Sequence, residues 1–261
     1  MKIKKCLAYR SNYGNPRDPS EIKFIAAHFT SNDGDSDEGN ANYFSNPHNP
    51  KSSAHYFVDD DSVTQSVPDD YVAYSVGGSK YTDCALTGGG RLHRIATNYN
   101  TLNIEMCDSI KDGKVMAQDA TVSNTIKLIR LKMKQYNIDI DHVIRHFDVT
   151  GKHCPVYYMD EREWEKFKAR ILGYRLKKKY KTTKACYLRS SPGTGSNKVK
   201  ISELSDTLQE KCVGYRYAKF PKNRVFTLIA VKQIGDDVWG LIKSGYWIPL
   251  KYKGISRAKR V

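Results

Sequence analysis

Ile22-Lys23-Phe24-Ile25-Ala26-Ala27-His28 is the stretch from which the first fold element is read. Its short apolar run is what a strand covered on both faces requires, so a buried strand ending at His28 is expected. Residues 31–40, rich in Asp, Gly, Ser and Asn, read as a polar loop. His55-Tyr56-Phe57-Val58 predicts a second strand, Asp59-Asp60-Asp61 a turn, and Ser62 to Val67 a third strand. Leu102, Ile104 and Met106 alternate with Asn103 and Glu105. That period of two predicts a half-buried strand with Glu105 on the face opposite its apolar neighbours. Val122, Ile126, Ile129, Met133 and Tyr136 form one stripe of an amphipathic helix that stops near Asn137. Val143 and Ile144 form a short strand leading to His146. Asp160 and Glu163 open a second helix as a capping box, Trp164, Phe167 and Ile171 share its apolar face, and Gly173 ends it. Residues 1–173 therefore read as an α/β domain, a mixed central sheet flanked by helices.

The character changes after Gly173. Arg175 to Lys184 is a basic, linker-like run. Strand signals follow at Ala185 to Arg189, Val225 to Val231, Val238 to Ile242 and Tyr246 to Leu250. Turn signals separate them at Ser191-Pro192-Gly193, Gly235-Asp236-Asp237 and Ser244-Gly245. Residues 174–261 thus read as a small all-β domain, near the size of a minimal barrel.

Charge follows the same division. The 261-residue chain has a formal net charge of +15. Residues 174–261 hold 21 Lys and Arg against 5 Asp and Glu, a net +16, while the first 173 residues are close to neutral. Such asymmetry points to a second unit that faces a polyanion: nucleic acid, an acidic membrane or an anionic wall polymer. Mean hydropathy is −0.62. No apolar stretch approaches the roughly 18 residues that span a bilayer, so membrane insertion is not expected. The basic start, Met1 to Arg10, has no apolar h-region, and no export signal is expected. Six scattered cysteines do not form a compact disulfide framework and favour synthesis in a reducing compartment.

The chemistry concentrates at a few residues. His28 ends the first core strand, and His142, His146 and His153 crowd one segment beside Cys154. Imidazole and thiolate are preferred zinc ligands, and a catalytic site uses three of them. Asp148-Val149-Thr150-Gly151 can turn His146 and Cys154 onto one point. Spacing alone leaves His142 and His153 as rival ligands.

Arg145-His146-Phe147-Asp148-Val149-Thr150-Gly151-Lys152-His153-Cys154-Pro155 resembles the second zinc motif of the type-2 N-acetylmuramoyl-L-alanine amidases. There a His is followed eight residues later by Cys or Asp and then Pro, with a Lys two before the last ligand. Phe24 to Thr30 resembles the first-ligand strand of that family, Ser53-Ala54-His55-Tyr56-Phe57-Val58 its SAHY strand, and Leu102 to Met106 its NIE strand. Val72 to Gly78 is similar to the intervening loop. The resemblance implies one zinc ion per chain held by His28, His146 and Cys154. It implies Lys152 as the cation that stabilises the transition state and Glu105 as the acid that handles the proton. Some phage members carry Tyr where this chain has Ala54, which leaves Tyr56, next but one along the strand, as a substitute substrate contact. The reaction implied is hydrolysis of the amide between N-acetylmuramic acid and L-alanine in peptidoglycan.

Tyr180 to Gly195, with Leu188-Arg189-Ser190-Ser191-Pro192-Gly193-Thr194, resembles the opening of bacterial SH3-like (SH3b) domains. Val238 to Ile248 resembles their closing hairpin. The resemblance implies an SH3-like barrel that binds the cell wall; Tyr187 and Tyr246 depart from the family pattern, so its ligand specificity does not carry over. Read as residues, Tyr187, Tyr215, Tyr217 and Tyr246 are candidate sugar contacts, and Trp239 and Trp247 read as barrel packing. The positive charge adds teichoic acid or another anionic wall polymer as a partner. No familiar nucleic-acid motif is present, so nucleic acid ranks below the wall. The expectation is a phage endolysin of a Gram-positive host, made in the cytoplasm and acting at the wall after release. A bacterial autolysin, a non-catalytic peptidoglycan recognition protein and a peptidase with Cys154 as nucleophile are the alternatives.

Overall fold

The computed structural model describes residues 2–47 and 51–261. They divide into two units, Met1–Trp164 and Glu165–Val261.

The first unit is built on a six-stranded mixed sheet. Its strands are β1 (Lys4–Lys5), β2 (Phe24–Phe29), β3 (Tyr56–Val58), β4 (Val63–Gln65), β5 (Thr101–Met106) and β6 (Val143–Arg145), in the spatial order β1-β4-β3-β5-β2-β6. All neighbouring pairs are parallel except β3 and β4, which the Asp59–Asp61 turn joins as a hairpin. Asp59 Oδ1 accepts the Asp61 and Ser62 amides there, which is why three consecutive carboxylates suit this turn. The mixed α/β architecture matches the expectation.

Helices cover both faces. Helix α1 (Asp37–Phe44) lies on the Phe57 side, where the Phe44 and Phe57 rings stack at 5.6 Å. Helix α2 (Asp119–Tyr136) lies on the opposite side, where Lys132 sits over the Tyr56 ring. Its Val122, Ile126 and Ile129 are buried, and Asn137 ends it in the left-handed conformation, as the stripe predicts. Helix α3 (His146–Thr150) leaves β6 directly, and α4 (Glu161–Ile171) follows.

Three differences from the sequence reading have local causes. Residues 31–40 are not all loop: Ser36 accepts the Gly39 amide and nucleates α1, whose one fully buried apolar residue, Ala41, leaves almost no periodic signal. Strand β5 is covered on both faces rather than half-buried, because it is central in the sheet; the expected parity of Glu105 holds. The basic run Arg175–Lys184 contains a strand, β7 (Lys179–Thr182), whose Tyr180 and Thr182 are buried between exposed or half-exposed lysines.

The second unit is largely β-sheet. Besides β7 it contains β8 (Cys186–Tyr187), β9 (Lys219–Phe220), β10 (Val225–Ile234), β11 (Asp237–Ile242), β12 (Trp247–Tyr252), β13 (Ile255–Ser256) and β14 (Ala258–Arg260). Six of them form an antiparallel sheet in the order β13-β12-β11-β10-β7-β14, and β8 pairs with β9. A bridge between Arg189 and Trp247 ties the end of β8 to β12. Leu188, Phe226, Leu228, Ile248 and Leu250 fill its core, and Ala169 and Leu172 pack there from α4 and just beyond it. All six cysteines are free, and no described helix is long and apolar enough to cross a membrane.

Candidate metal centre

Strand register brings the site together. His28 of β2 stands directly beside Glu105 of β5, and Glu105 beside Phe57 of β3, so these side chains share one face. At the sheet edge β6 runs into α3, placing His146 at the first helical position. Buried Arg145 fixes that junction: its amide and Nε donate to Asp148 Oδ2, and a terminal nitrogen donates to Oδ1 at 2.8 Å. Gly151 then reverses the chain at φ +88°, where a Cβ would collide with Cys84 Sγ. The Phe147 amide donates to the Cys154 carbonyl at 3.0 Å and closes the loop, returning Cys154 to His146.

His28, His146 and Cys154 are all buried, and their ligand atoms lie within 4.8 Å of one another. His28 Nδ1 is 3.8 Å from Cys154 Sγ, and the two imidazole rings are 4.8 Å apart. His28 Nε2 meets Asn103 Oδ1 at 3.1 Å. Since a carbonyl oxygen only accepts, Nε2 carries the proton and Nδ1 turns its lone pair to the cluster. His146 Nδ1 is buried with no hydrogen-bond partner, and so is Glu105 Oε2. Orphaned buried polar atoms at one point are what a cation there would satisfy.

Burial sets the protonation states. It lowers the pKa of His28 to about 4 and that of His146 to about 2, with the Lys152 charge adding to both. Both imidazoles are therefore neutral at pH 7, the form that ligates metal. Burial raises the Cys154 thiol far above its ordinary value. Burial also pushes Glu105 up to about 8, against the pull of Lys152. His28 Nδ1 is 3.7 Å from Glu105 Oε1, but with His28 neutral this is not an ion pair. Two nitrogens and one sulfur form a donor set suited to a single metal ion, and zinc takes that set.

The rival ligands are elsewhere. His142 is about half exposed and bonds Asp139 at 2.7 Å. His153 points outward, 3.7 Å from Asp83. Exposed Lys152 lines a groove of about 670 Å³ with His146, Ser75, Tyr74 and Asn98. A second groove of about 600 Å³ reaches Glu105 past Asp35, Asn40 and Tyr43.

Tyr56 is a correction. The residues before it, Ser53 to His55, are not strand, so alternation does not carry from Ala54. With Phe57 beside Glu105, Tyr56 faces the other side of the sheet, where its buried hydroxyl donates to Asp69 at 2.6 Å. Tyr187 and Tyr246 lie half-buried in the second unit. Two residues escaped the sequence reading. Asn103 orients His28; its signal was a polar residue two positions before Glu105, on the same strand face. The Tyr157 hydroxyl is buried without a partner, in the electrostatic reach of Cys154 and Glu105; nothing in its local sequence marks it.

The family model Amidase_2, N-acetylmuramoyl-L-alanine amidase, matches residues 18–157. The chain belongs to this amidase family. Among its relatives, N-acetylmuramoyl-L-alanine amidase CwlL of Bacillus licheniformis is 27% identical over 90% of the chain and 66% of its own length. The solution structure of the PlyG catalytic domain superposes with a TM-score of 0.52 at 28% identity, covering 66% of this chain and 94% of that one. A mutant endolysin from Bacillus subtilis superposes with a TM-score of 0.50 at 26% identity, covering 66% and 99%. The chain spans between 41% and 66% of the length of the curated relatives it matches.

Proposed function

We propose that the chain is a zinc-dependent N-acetylmuramoyl-L-alanine amidase that cuts peptidoglycan between the lactyl group of N-acetylmuramic acid and L-alanine. The observation that carries this reading is the buried convergence of His28, His146 and Cys154, in a segment that the amidase family model covers. A zinc ion held by these residues supplies a Lewis acid that polarises the amide carbonyl and acidifies water. Asn103 keeps His28 in the ligating tautomer. Glu105, which a dication beside it would hold ionised, has a free Oε2 and takes the proton of the attacking water and returns it to the departing amine. The Lys152 ammonium steadies the negative charge that develops on the carbonyl oxygen. The carbon–nitrogen bond breaks, water's oxygen completes a lactyl carboxyl group, and L-alanine leaves with a free amino group.

The second unit is read as an SH3-like, wall-binding barrel, with the functional boundary at residues 173 and 174. Its antiparallel strand order, the Arg189–Trp247 bridge and its size support that reading. A phage endolysin of a Gram-positive host, made in the cytoplasm and acting at the wall after release, is the biological setting proposed. The likeness to the Bacillus subtilis endolysin supports it. Mass spectrometry of digested wall tests the chemistry. Free L-alanine amino termini and intact glycan strands are expected, with loss on chelation and recovery with zinc. Cleavage within the stem peptide or the glycan would refute the reading.

A further inference from the structure

One face of the second unit alternates cations and aromatic rings. Arg216 Cζ is 5.3 Å from the centre of the Tyr217 ring, and Lys198 Nζ is 5.6 Å from the same ring. Lys198 Nζ is also 4.4 Å from the Tyr187 ring, and Lys219 Nζ is 4.4 Å from that ring. The row therefore reads Arg216, Tyr217, Lys198, Tyr187, Lys219. Strand pairing builds it: Tyr187 stands opposite Lys219, Arg189 opposite Lys198, and Lys200 opposite Tyr217.

None of the three cations has an ion-pair partner among the described residues. The Tyr187 hydroxyl bonds Lys219 and is held below its ordinary pKa by that bond and by the surrounding positive charge. Beside the row lies a polar cleft of about 560 Å³, lined by Arg189, Ser196, Asn197, Lys198 and Tyr217 among others. The one carboxylate on its wall, Glu203, is already engaged: it accepts the Lys200 amide at 3.2 Å and faces its ammonium at 4.0 Å. Unpaired like charges held side by side repel each other, and an anion bridging them relieves that repulsion. A row of cations suits a polymer with a charge on every repeat better than a single carboxylate. Both rings already carry cations, which leaves little open face for nucleobase stacking.

We propose that this row binds a phosphodiester-linked polyol polymer of the cell wall and so holds the enzyme at its substrate. The proposal rests on the amidase reading only for its location; the recognition itself is a property of the second unit. The test uses the full chain and three probes: poly(glycerol phosphate), inorganic polyphosphate and single-stranded oligothymidylate. Two triple variants each remove three positive charges, K198Q/R216Q/K219Q in the row and K222Q/K243Q/K251Q outside it. The row variant should bind poly(glycerol phosphate) about tenfold or more weakly at physiological ionic strength. Its slope of log affinity against log salt should fall by about two, at ~0.7 per phosphate contact on a single-stranded polyanion. The outside variant should lose less than about threefold. Equal losses in both variants would overturn the proposal, since charge rather than place would then decide. Tighter binding of oligothymidylate than of poly(glycerol phosphate) would overturn it in favour of nucleic acid. Tighter binding of polyphosphate would reduce it to bare charge density. Thermal unfolding checks that both variants fold, and single K198Q serves if the row variant does not. Both variants should release amino groups at wild-type rates from wall stripped of phosphate polymers. A wild-type chain that releases none would refute the amidase reading and leave the binding result standing.

Discussion

Metal binding at this site must displace protons, and the number is set by the burial of four side chains. At pH 7 neither His28 nor His146 has a proton to lose, since burial holds them at about 4 and about 2. Cys154 is fully protonated, because burial raises its thiol, and it must ionise to ligate. Glu105, at about 8, is ~0.9 protonated at pH 7 and gives up that proton when a dication sits beside it. These side chains therefore release about two protons per zinc at pH 7, one of them from Glu105, and ionisation of a zinc-bound water, with a pKa of about 7, adds the same amount with or without Glu105. The same four groups at their ordinary values would release about 1.5 protons at pH 7, none of them from Glu105. Glu105→Gln separates the two cases. Isothermal titration of the metal-free protein with zinc, in buffers of different ionisation enthalpy, gives the proton count from the slope of heat against buffer enthalpy. At pH 7 the wild type should release about one proton more per zinc than Glu105→Gln. An unchanged count in Glu105→Gln would refute the placement of a protonated carboxyl beside the metal.

Three further outcomes follow from single contacts. Asn103→Leu frees His28 Nε2 from its hydrogen-bond partner, and zinc affinity should drop about 10–100-fold in a competition with a chromogenic chelator. Gly151→Ala forces a Cβ into Cys84 Sγ at a φ that alanine avoids, so denaturant unfolding should show a loss of about 2–3 kcal/mol. Tyr157→Phe removes a buried hydroxyl that has no partner, so stability should stay level or rise by about 1 kcal/mol; a loss of that size would mean that the hydroxyl is satisfied.

Much of the first unit is legible in the sequence because its strands are short and unambiguous. The apolar run before His28, the alternation around Glu105 and the stripe from Val122 to Tyr136 each follow from one periodicity. What periodicity omits is what escaped. Helix α1 buries little and is held by the Ser36 cap instead, so it reads as loop. Strand β7 hides in a lysine run because only two of its residues face inward. Tyr56 faces away from the site because strand alternation begins only at Tyr56 itself, Ala54 and His55 lying outside the strand. The rivalry among His142, His146 and His153 could not be decided by spacing. It is decided by the Arg145–Asp148 clamp and the Phe147–Cys154 hydrogen bond, which are contacts of the folded chain. The roles of Asn103 and the exposed row around Tyr187 likewise depend on cross-strand register, which one chain read alone does not display.

X-ray absorption at the zinc edge tests the central claim most directly. The zinc-loaded chain should show one sulfur at about 2.3 Å and two imidazole nitrogens at about 2.0–2.1 Å, with one zinc per chain, and Cys154→Ser should lose the sulfur signal. A zinc shell without sulfur in the wild type, or a sulfur signal that survives Cys154→Ser, would contradict the account.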